Sequence, residues 1–357
     1  MKWFLSNKKS LGIDIGTSSI KIIELSRVGK RIKLENYGEI SAEALFNKPF
    51  RAFEENILNV SSNDIAQAIR ATLDEMKIKT KMSCFSIPDF STFFTWFDLP
   101  LMTEEEIPSA IKFEARKHIP VPLSEVTLDW QTIKVKTKKN SLLKILLVAT
   151  PNEVISQYKE IASLAGLKIF KLEAEIFAFF RALNKRDEKK PQLLVDIGAY
   201  STTASVVDEG VLRVSGSFDV SGNKLTDILT KSGMSCKKAE EIKQIQGLGM
   251  KEELAESFLS VLDSMVFEIK KVSEDFYQKE SKKLQKIILA GGTARLPGLK
   301  EYFFEQLKGA NFLSEDAEIE IANPFSNIFY PPLLEGALEK MGPGYSIAIG
   351  SCLKGLD

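Results

Sequence analysis

LGIDIGTSSIKIIEL (Leu11–Leu25) decides the fold, because LLVDIGAYSTTASVV (Leu193–Val207) repeats its order. Each copy runs as an apolar strand into an aspartate, an apolar residue, a glycine, a small or polar pair and hydroxyls, so the chain is read as two similar halves. The residues after each glycine discriminate between folds better than the glycine itself. A Rossmann or P-loop glycine stretch opens a helix that seats the phosphate on its N-terminus. Here the first copy continues as strand SIKIIELS, turns at RVGK and returns as RIKLENY. The second turns at Asp208-Glu209-Gly210 and returns as VLRV. Both copies are therefore β-hairpins with glycine and hydroxyls at the tip.

Such tips suit phosphate. Gly16 and Gly198 lack a Cβ, so backbone N–H groups can approach phosphate oxygens. Thr17, Ser18, Ser201 and Thr202 add hydroxyl donors and Lys21 a positive charge. Two facing hairpins would grip a polyphosphate from both sides. Asp14 and Asp196 would then repel the same phosphates unless Mg²⁺ lies between, held through its waters. A third stretch, KIILAGGTARLPGL (Lys286–Leu299), is a buried-type strand running into Gly291-Gly292, where a flat base could lie against backbone.

The bounds agree with a nucleotide-handling protein of ordinary composition. At 357 residues the chain is long enough for two or more subdomains. Forty-eight basic residues balance forty-eight acidic ones, which argues against nucleic acid as a partner. Cys84, Cys236 and Cys352 lie far apart without metal-ligand spacing, so neither a zinc site nor a disulfide framework is expected and a reducing cytoplasm fits. The single histidine, His118, reads as structural. No stretch reaches the roughly 20 apolar residues of a membrane-spanning helix. The start, MKWFLSNKKS, reads as a frayed end rather than an interfacial anchor.

The three stretches, in this order and spacing, resemble the phosphate-1, phosphate-2 and adenosine motifs of the actin, heat-shock chaperone and sugar-kinase superfamily. LEAEIFAFFRAL (Leu172–Leu183) resembles its connect 1 segment and GYSIAIGSCL (Gly344–Leu353) its connect 2. The resemblance implies ATP and Mg²⁺ as cofactors and an α/β, actin-like (ribonuclease H-like) duplicated fold. It implies that Glu173 orients the attacking water or the metal shell, that Glu240 and Lys243 of AEEIK contact ribose and adenine, and that Gly222 joins the nucleotide-contacting set. Connect 2 continues as Ser351-Cys352-Leu353-Lys354, from which a short C-terminal helix is expected, and the bulky Tyr200 after the second glycine makes binding more secure than turnover.

Between helix NDIAQAIRATLDEMK (Asn63–Lys77) and connect 1 lies an extra segment: strands CFSIP and TFFTWFDLP, helix TEEEIPSAIKFEARKHI, strand LDWQTIKV, turn KTKKNS, strand LLKILLVAT and helix NEVISQYKEIASLAG. Thr103 and Glu106 are spaced as a capping box, and Pro108 makes that helix start late or kink. The segment resembles the 1C subdomain of the division protein FtsA and, more closely, of the PilM family of type IV pilus assembly proteins, through LPLMTEEEIPSAIKFEARKHIPVPLSEVTLDW and Asn323-Pro324-Phe325. The expected organisation is residues 1–81 as the first actin-like half (1A, completed by 166–190 and 336–357), 82–165 as the 1C insertion, and 191–335 as the second half (2A and 2B). The chain ends GSCLKGLD without a long amphipathic tail, which favours the PilM family over FtsA-like filament proteins. A small-molecule kinase of the superfamily is the other alternative.

The PilM resemblance implies a cytoplasmic ATP-binding scaffold, peripheral at the inner membrane. It would bind the N-terminal cytoplasmic tail of a bitopic PilN-like protein between 1A and 1C and link it to other pilus platform and motor proteins. Self-association is a further implied contact. In FFTWF (Phe93–Phe97), Phe93, Thr95 and Phe97 share one strand face and Phe94 and Trp96 the other. One face could line the groove, or both could be buried.

Overall fold

The computed structural model describes residues 8–46, 49–51, 60–136, 141–183, 190–250 and 252–357. The stretch MKWFLSN and most of the KTKKNS turn lie outside the described residues. The first half opens with β1 (Lys8–Ile15), β2 (Ser19–Val28) and β3 (Arg31–Ser41), then α1 (Ala42–Phe46), α2 (Ser62–Glu75) and β4 (Met82–Ile87). An insertion follows: β5 (Phe93–Pro100), α3 (Ile107–Ala115), β6 (Val126–Lys136) and β7 (Ser141–Pro151). The chain rejoins the first half in α4 (Asn152–Leu164), β8 (Lys168–Ala174) and α5 (Glu175–Leu183). The second half comprises β9 (Gln192–Ile197), β10 (Thr202–Asp208), β11 (Val211–Phe218), α6 (Gly222–Lys231), α7 (Cys236–Gln246), α8 (Glu252–Glu280), β12 (Leu284–Ala290), α9 (Leu299–Leu307) and β13 (Leu313–Ile321). The short β14 (Ile328–Phe329) and α10 (Glu335–Lys354) return to the first half.

The duplication seen in the two DIG stretches is a duplication of sheets. The first sheet has the order β14-β3-β2-β1-β4-β8 and the second β11-β10-β9-β12-β13. Omitting β14, both place a three-strand antiparallel meander beside two parallel strands. β1, β2, β9 and β10 are largely buried on both faces because helices cover both. Leu11, Ile13, Ile15, Ile20 and Ile22 face α2 and α4 in one core, whereas Ile23 and Leu25 face α10 in another. In the second half Leu193, Val195 and Ile197 pack on α8 through Leu262 and Met265. α2 starts at Ser61, whose hydroxyl accepts from the Asp64 N–H at 3.2 Å, a cap that contributes about 1 kcal/mol.

Two expectations are corrected. First, the insertion is narrower than 82–165. β4 is hydrogen-bonded between β1 and β8 in the first sheet, and α4 packs Val154, Tyr158 and Ile161 into the same core as Ile65 and Ile69 of α2. The separate unit is the three-stranded sheet β5-β7-β6 with α3, built around Ile111, Leu143, Ile145 and Leu147. Apolar alternation marks β4 as a strand but does not say which sheet it joins. Second, the C-terminal helix is long: α10 has 20 residues. Its small residues let it lie directly on neighbouring backbone, where a Cβ on Gly350 would overlap the Ala178 carbonyl of α5 and one on Gly12 the Ala348 carbonyl. The late start that Pro108 implied is observed: the acidic stretch 103–106 is not helical. Glu106 turns back to accept from the Thr103 N–H (2.8 Å) and hydroxyl (2.9 Å), and α3 begins only at Ile107, with Pro108 in its first turn.

Replacing Gly350 by valine forces α10 away from α5. Urea unfolding of Gly350→Val is expected to show a loss at or above the upper end of the roughly 1–3 kcal/mol typical of overpacking. The same substitution at Gly336, whose Cβ would meet nothing within 4 Å, is expected to cost about 1 kcal/mol or less.

Candidate functional site

The two hairpin tips are built alike. The Gly16 N–H donates to the Ser19 carbonyl at 2.9 Å, and the Gly198 N–H donates to the Ser201 carbonyl at 2.9 Å. A Cβ on either glycine would sit 2.8 Å from that same carbonyl, so both turns require a bare α-carbon. Thr17 and Ser18 fill the first two-residue loop. Their carbonyls accept from the Phe50 and Ala42 N–H groups at 2.9 and 2.8 Å, which folds the segment after β3 over the tip. Ala199 and Tyr200 fill the second loop. The carbonyls of Gly198 and Ala199 accept from Gly222 and Asn223 at 3.0 and 2.8 Å, seating the start of α6 on this tip. Thr202 turns its hydroxyl inward to the Val220 carbonyl at 2.6 Å.

Asp14, the penultimate residue of β1, lies opposite Lys21 of β2 and is buried, accepting from the Ser86 hydroxyl at 3.2 Å. Lys21 donates to the Ser19 hydroxyl at 2.9 Å and lies 3.6 Å from Glu39. Asp196 occupies the matching place near the end of β9, opposite Ala290 of β12. Immediately beyond, Gly291 adopts φ +88°, donates its N–H to the Pro343 carbonyl of α10 at 3.0 Å, and leaves no room for a Cβ beside Asp196 Oδ1. A Cβ on Gly344 of α10 would lie 3.5 Å from Lys21 Cε and 3.9 Å from Gly292 Cα. The ends of both sheets, the paired glycines and α10 thus meet in one place.

Glu240 and Lys243 flank it on α7. They are more than a surface ion pair: Lys243 is buried and donates to the Gly222 carbonyl (3.1 Å) and the Thr226 hydroxyl (2.8 Å) besides meeting Glu240 at 2.6 Å. Burial opposes ionisation of Glu240, but Lys243, Gln244 and Thr226 outweigh it and hold its carboxyl below the usual range.

Glu173 is not where connect 1 suggested. Its two oxygens are engaged by Arg181 at 2.5 and 2.7 Å, and Arg181 also donates to the Gly350 carbonyl at 2.9 Å. The acid that faces Asp14 and Asp196 is Glu175, the first residue of α5. The change from strand to helix after Ala174 separates the two glutamates. Glu175 meets Arg51 at 3.1 Å and accepts from the Asp89 N–H at 3.4 Å. Asp89 in turn accepts from the Ile176 N–H at 3.1 Å. Sequence reasoning missed Arg51, Asp89 and Glu175. The signal available was that Asp89 comes just after a strand end, much as Asp14 and Asp196 sit at theirs; nothing local marked Arg51.

The acids are poorly compensated. Burial, then the charges of Glu175 and Asp14, push the Asp196 carboxyl up to about 7 despite Lys21 and Arg51. Burial and Asp14 raise Glu175 against the pull of Arg51, and burial with Glu175 raises Asp89 well above the usual carboxylate range. Among the described residues no group of three or more His, Cys, Asp or Glu side chains is spaced to hold a metal ion by itself.

A second feature adjoins. Phe93 and Phe97 of β5 face the core of the insertion, while Phe94 and Trp96 pack toward α5 and the second half. Phe94 meets Phe177 edge-on at 6.2 Å, and the Trp96 indole donates to the Leu212 carbonyl of β11 at 3.1 Å. Between β5 and β11 lies a cavity of about 300 Å³ lined by Asp89, Phe90, Phe93, Phe94, His118 and Ser217 among others. His118 stacks on Phe97 at 5.3 Å.

A carboxyl raised on folding keeps a proton that the unfolded chain releases near pH 4, so stability falls as pH climbs from about 4 to about 7 and does not recover above that. Thermal melts of nucleotide-free protein are expected to show a lower midpoint at pH 8 than at pH 5.5. Asp196→Asn should remove much of that drop; an undiminished drop in the variant would assign it to other groups.

The sequence profile of the family described as "Type IV pilus assembly protein PilM" matches residues 12–356. The fold is similar to a solved structure described as "PilM-PilN type IV pilus biogenesis complex", with a TM-score of 0.82 at 22% identity over 98% of each chain. Ethanolamine utilization protein EutJ from Carboxydothermus hydrogenoformans is similar with a TM-score of 0.59 at 16% identity, over 97% of this chain and 89% of that one. MreB 5 of Spiroplasma citri, solved bound to AMPPNP, has a TM-score of 0.55 at 13% identity, over 97% and 95%. The fold is actin-like, and a profile match spanning nearly the whole sequence means that the chain belongs to the type IV pilus assembly protein PilM family.

Proposed function

We propose that the protein is an ATP-binding scaffold of the type IV pilus inner-membrane assembly platform. It holds the N-terminal cytoplasmic tail of a PilN-like bitopic protein and through it joins the other pilus platform and motor proteins. Nothing in the described residues is long and apolar enough as a helix to cross a membrane, so attachment at the inner membrane from the cytoplasmic side falls to that partner. The observation that carries the reading is the family match over residues 12–356 together with the likeness to a PilM-PilN complex over 98% of both chains.

The residues present fit a magnesium nucleotide. Gly16, Thr17, Ser18 and Lys21 on one side and Gly198 and Ser201 on the other would face the phosphates, with Gly222, Glu240, Lys243, Gly291 and Gly292 toward the nucleoside; the Thr202 hydroxyl, turned to the Val220 carbonyl, would not. Asp14 and Asp196 would hold Mg²⁺ through its waters, in keeping with the absence, among the described residues, of three or more acids arranged to enclose a bare ion. Burial first, and then the charges of Glu175 and Asp14, raise the Asp196 carboxyl, and a divalent cation would relieve the second of these. Bound magnesium would supply neutralisation of the phosphates beside these acids. Both acids capable of orienting water from connect 1 are engaged, Glu173 by Arg181 and Glu175 by Arg51, which favours a holding role over rapid hydrolysis.

In this reading the partner tail lies along β5, toward β11 of the second half rather than between 1A and 1C. β5 and β11 are both edge strands, and the cavity of about 300 Å³ lies between them. Edge strands offer unpaired N–H and C=O groups to an extended peptide, and the flanking aromatic and hydroxyl side chains would select its residues.

Calorimetry should give heat with Mg-ATP, and Asp14→Ala or Asp196→Ala should weaken binding about tenfold or more, the scale of a lost contact to a charged group. A peptide copying the N-terminus of a PilN-like partner should be retained by the wild-type protein and lost when Thr95 is replaced by proline in β5. Retention of the peptide by that variant would remove the β5 groove from the reading, and absence of any Mg-ATP heat would remove the nucleotide.

A further inference from the structure

Asp89 and Phe90 belong at once to the cavity wall and to the acid cluster. Two reciprocal bonds, Asp89 N–H to Glu175 Oε2 and Ile176 N–H to Asp89 Oδ1, make the turn at residues 89–91 and the first turn of α5 one mechanical unit. Arg51 closes the unit from the other side. Its guanidinium lies 5.5 Å over the Phe90 ring and 3.1 Å from Glu175, beside the buried Tyr158 hydroxyl. Glu175 and Arg51 both act electrostatically on Asp14 and Asp196. The same arginine therefore touches an aromatic wall of the cavity and Glu175, and its charge reaches the acid pair assigned to the metal–phosphate site.

We propose that Arg51, Glu175 and Asp89 couple the cavity to the nucleotide site, so that each ligand changes the affinity for the other. This rests on the proposed function, in which the cavity takes an extended peptide and the acids a magnesium nucleotide. A peptide seated against Phe90 and Asp89 bears on the ring beneath Arg51 and on the turn bonded to Glu175. Either displacement alters how much positive charge Arg51 lends to Glu175 and Asp14. In a buried, low-dielectric site such a redistribution acts strongly on a neighbouring cation and its phosphates. By linkage the effect on binding is equal in both directions.

The test uses the full chain, a fluorescent ATP analogue with magnesium, and the N-terminal partner peptide. The nucleotide Kd is measured with and without saturating peptide, and the peptide Kd with and without saturating nucleotide. In the wild type the two ratios are expected to agree and to depart from unity by about fivefold or more. In Glu175→Gln and Arg51→Met the ratio should fall below about twofold whatever the absolute affinities, since the pair that carries the coupling is gone. Either variant suffices if the other does not fold, as judged by its melting transition. Binding of both ligands to the wild type with a ratio near one would overturn the coupling and leave the scaffold reading standing. Full coupling in the variants would overturn these residues as its carriers. Failure of the peptide or the nucleotide to bind wild-type protein at all would sink both the coupling and the reading on which it rests.

Discussion

Helix α10 lies closer to its neighbours than any side chain would permit, and the site depends on that approach. Gly350 rests on the Ala178 carbonyl of α5, and Gly12 of β1 on the α10 backbone at Ala348. One rigid element thereby sets the depth of β1, which ends just past Asp14, and of α5, which begins with Glu175. Nearer its start the same helix accepts the Gly291 N–H at Pro343 and brings Gly344 against Lys21. Contacts of this kind are steric and have little compliance in a close-packed interior. They hold three strand ends and a helix start in mutual register, although these come from distant parts of the chain.

The convergence is electrostatically unfavourable. Asp14, Asp89, Glu175 and Asp196 crowd one buried region, with Arg51 and Lys21 as the nearby cations, and the last three of these acids are held toward their neutral forms. A fold selected for stability alone would pair or remove such groups. Elsewhere the chain does pair them: Glu173 with Arg181, and Asp208 with Lys282 and Arg213. The contrast separates acids that serve the fold from acids kept for a ligand.

The insertion adds a second feature without disturbing this centre. Its sheet has its own core, and its β5 turns Phe94 and Trp96 onto α5 and β11, so the cavity it creates is walled partly by the actin-like halves themselves. Because the chain leaves β4 through Asp89 and Phe90 on its way to β5, the junction is shared between cavity and acid cluster.

The amino-acid order by itself determined the duplicated hairpins, the glycine-tipped turns, the paired glycines after β12 and the family likeness, because each is written in local residues: a bare α-carbon at a tight turn, an apolar run, an aspartate at a strand end. The tertiary structure alone decided which sheet β4 joins, that α4 belongs to the first half, and that Glu175 rather than Glu173 faces the other acids. Those depend on where a strand gives way to a helix and on what packs above it. Arg51 illustrates the limit. Nothing beside it in the chain distinguishes it from a surface arginine, and it becomes a buried cation among four carboxylates only because the segment carrying Phe50 and Arg51 is bonded across the first hairpin tip.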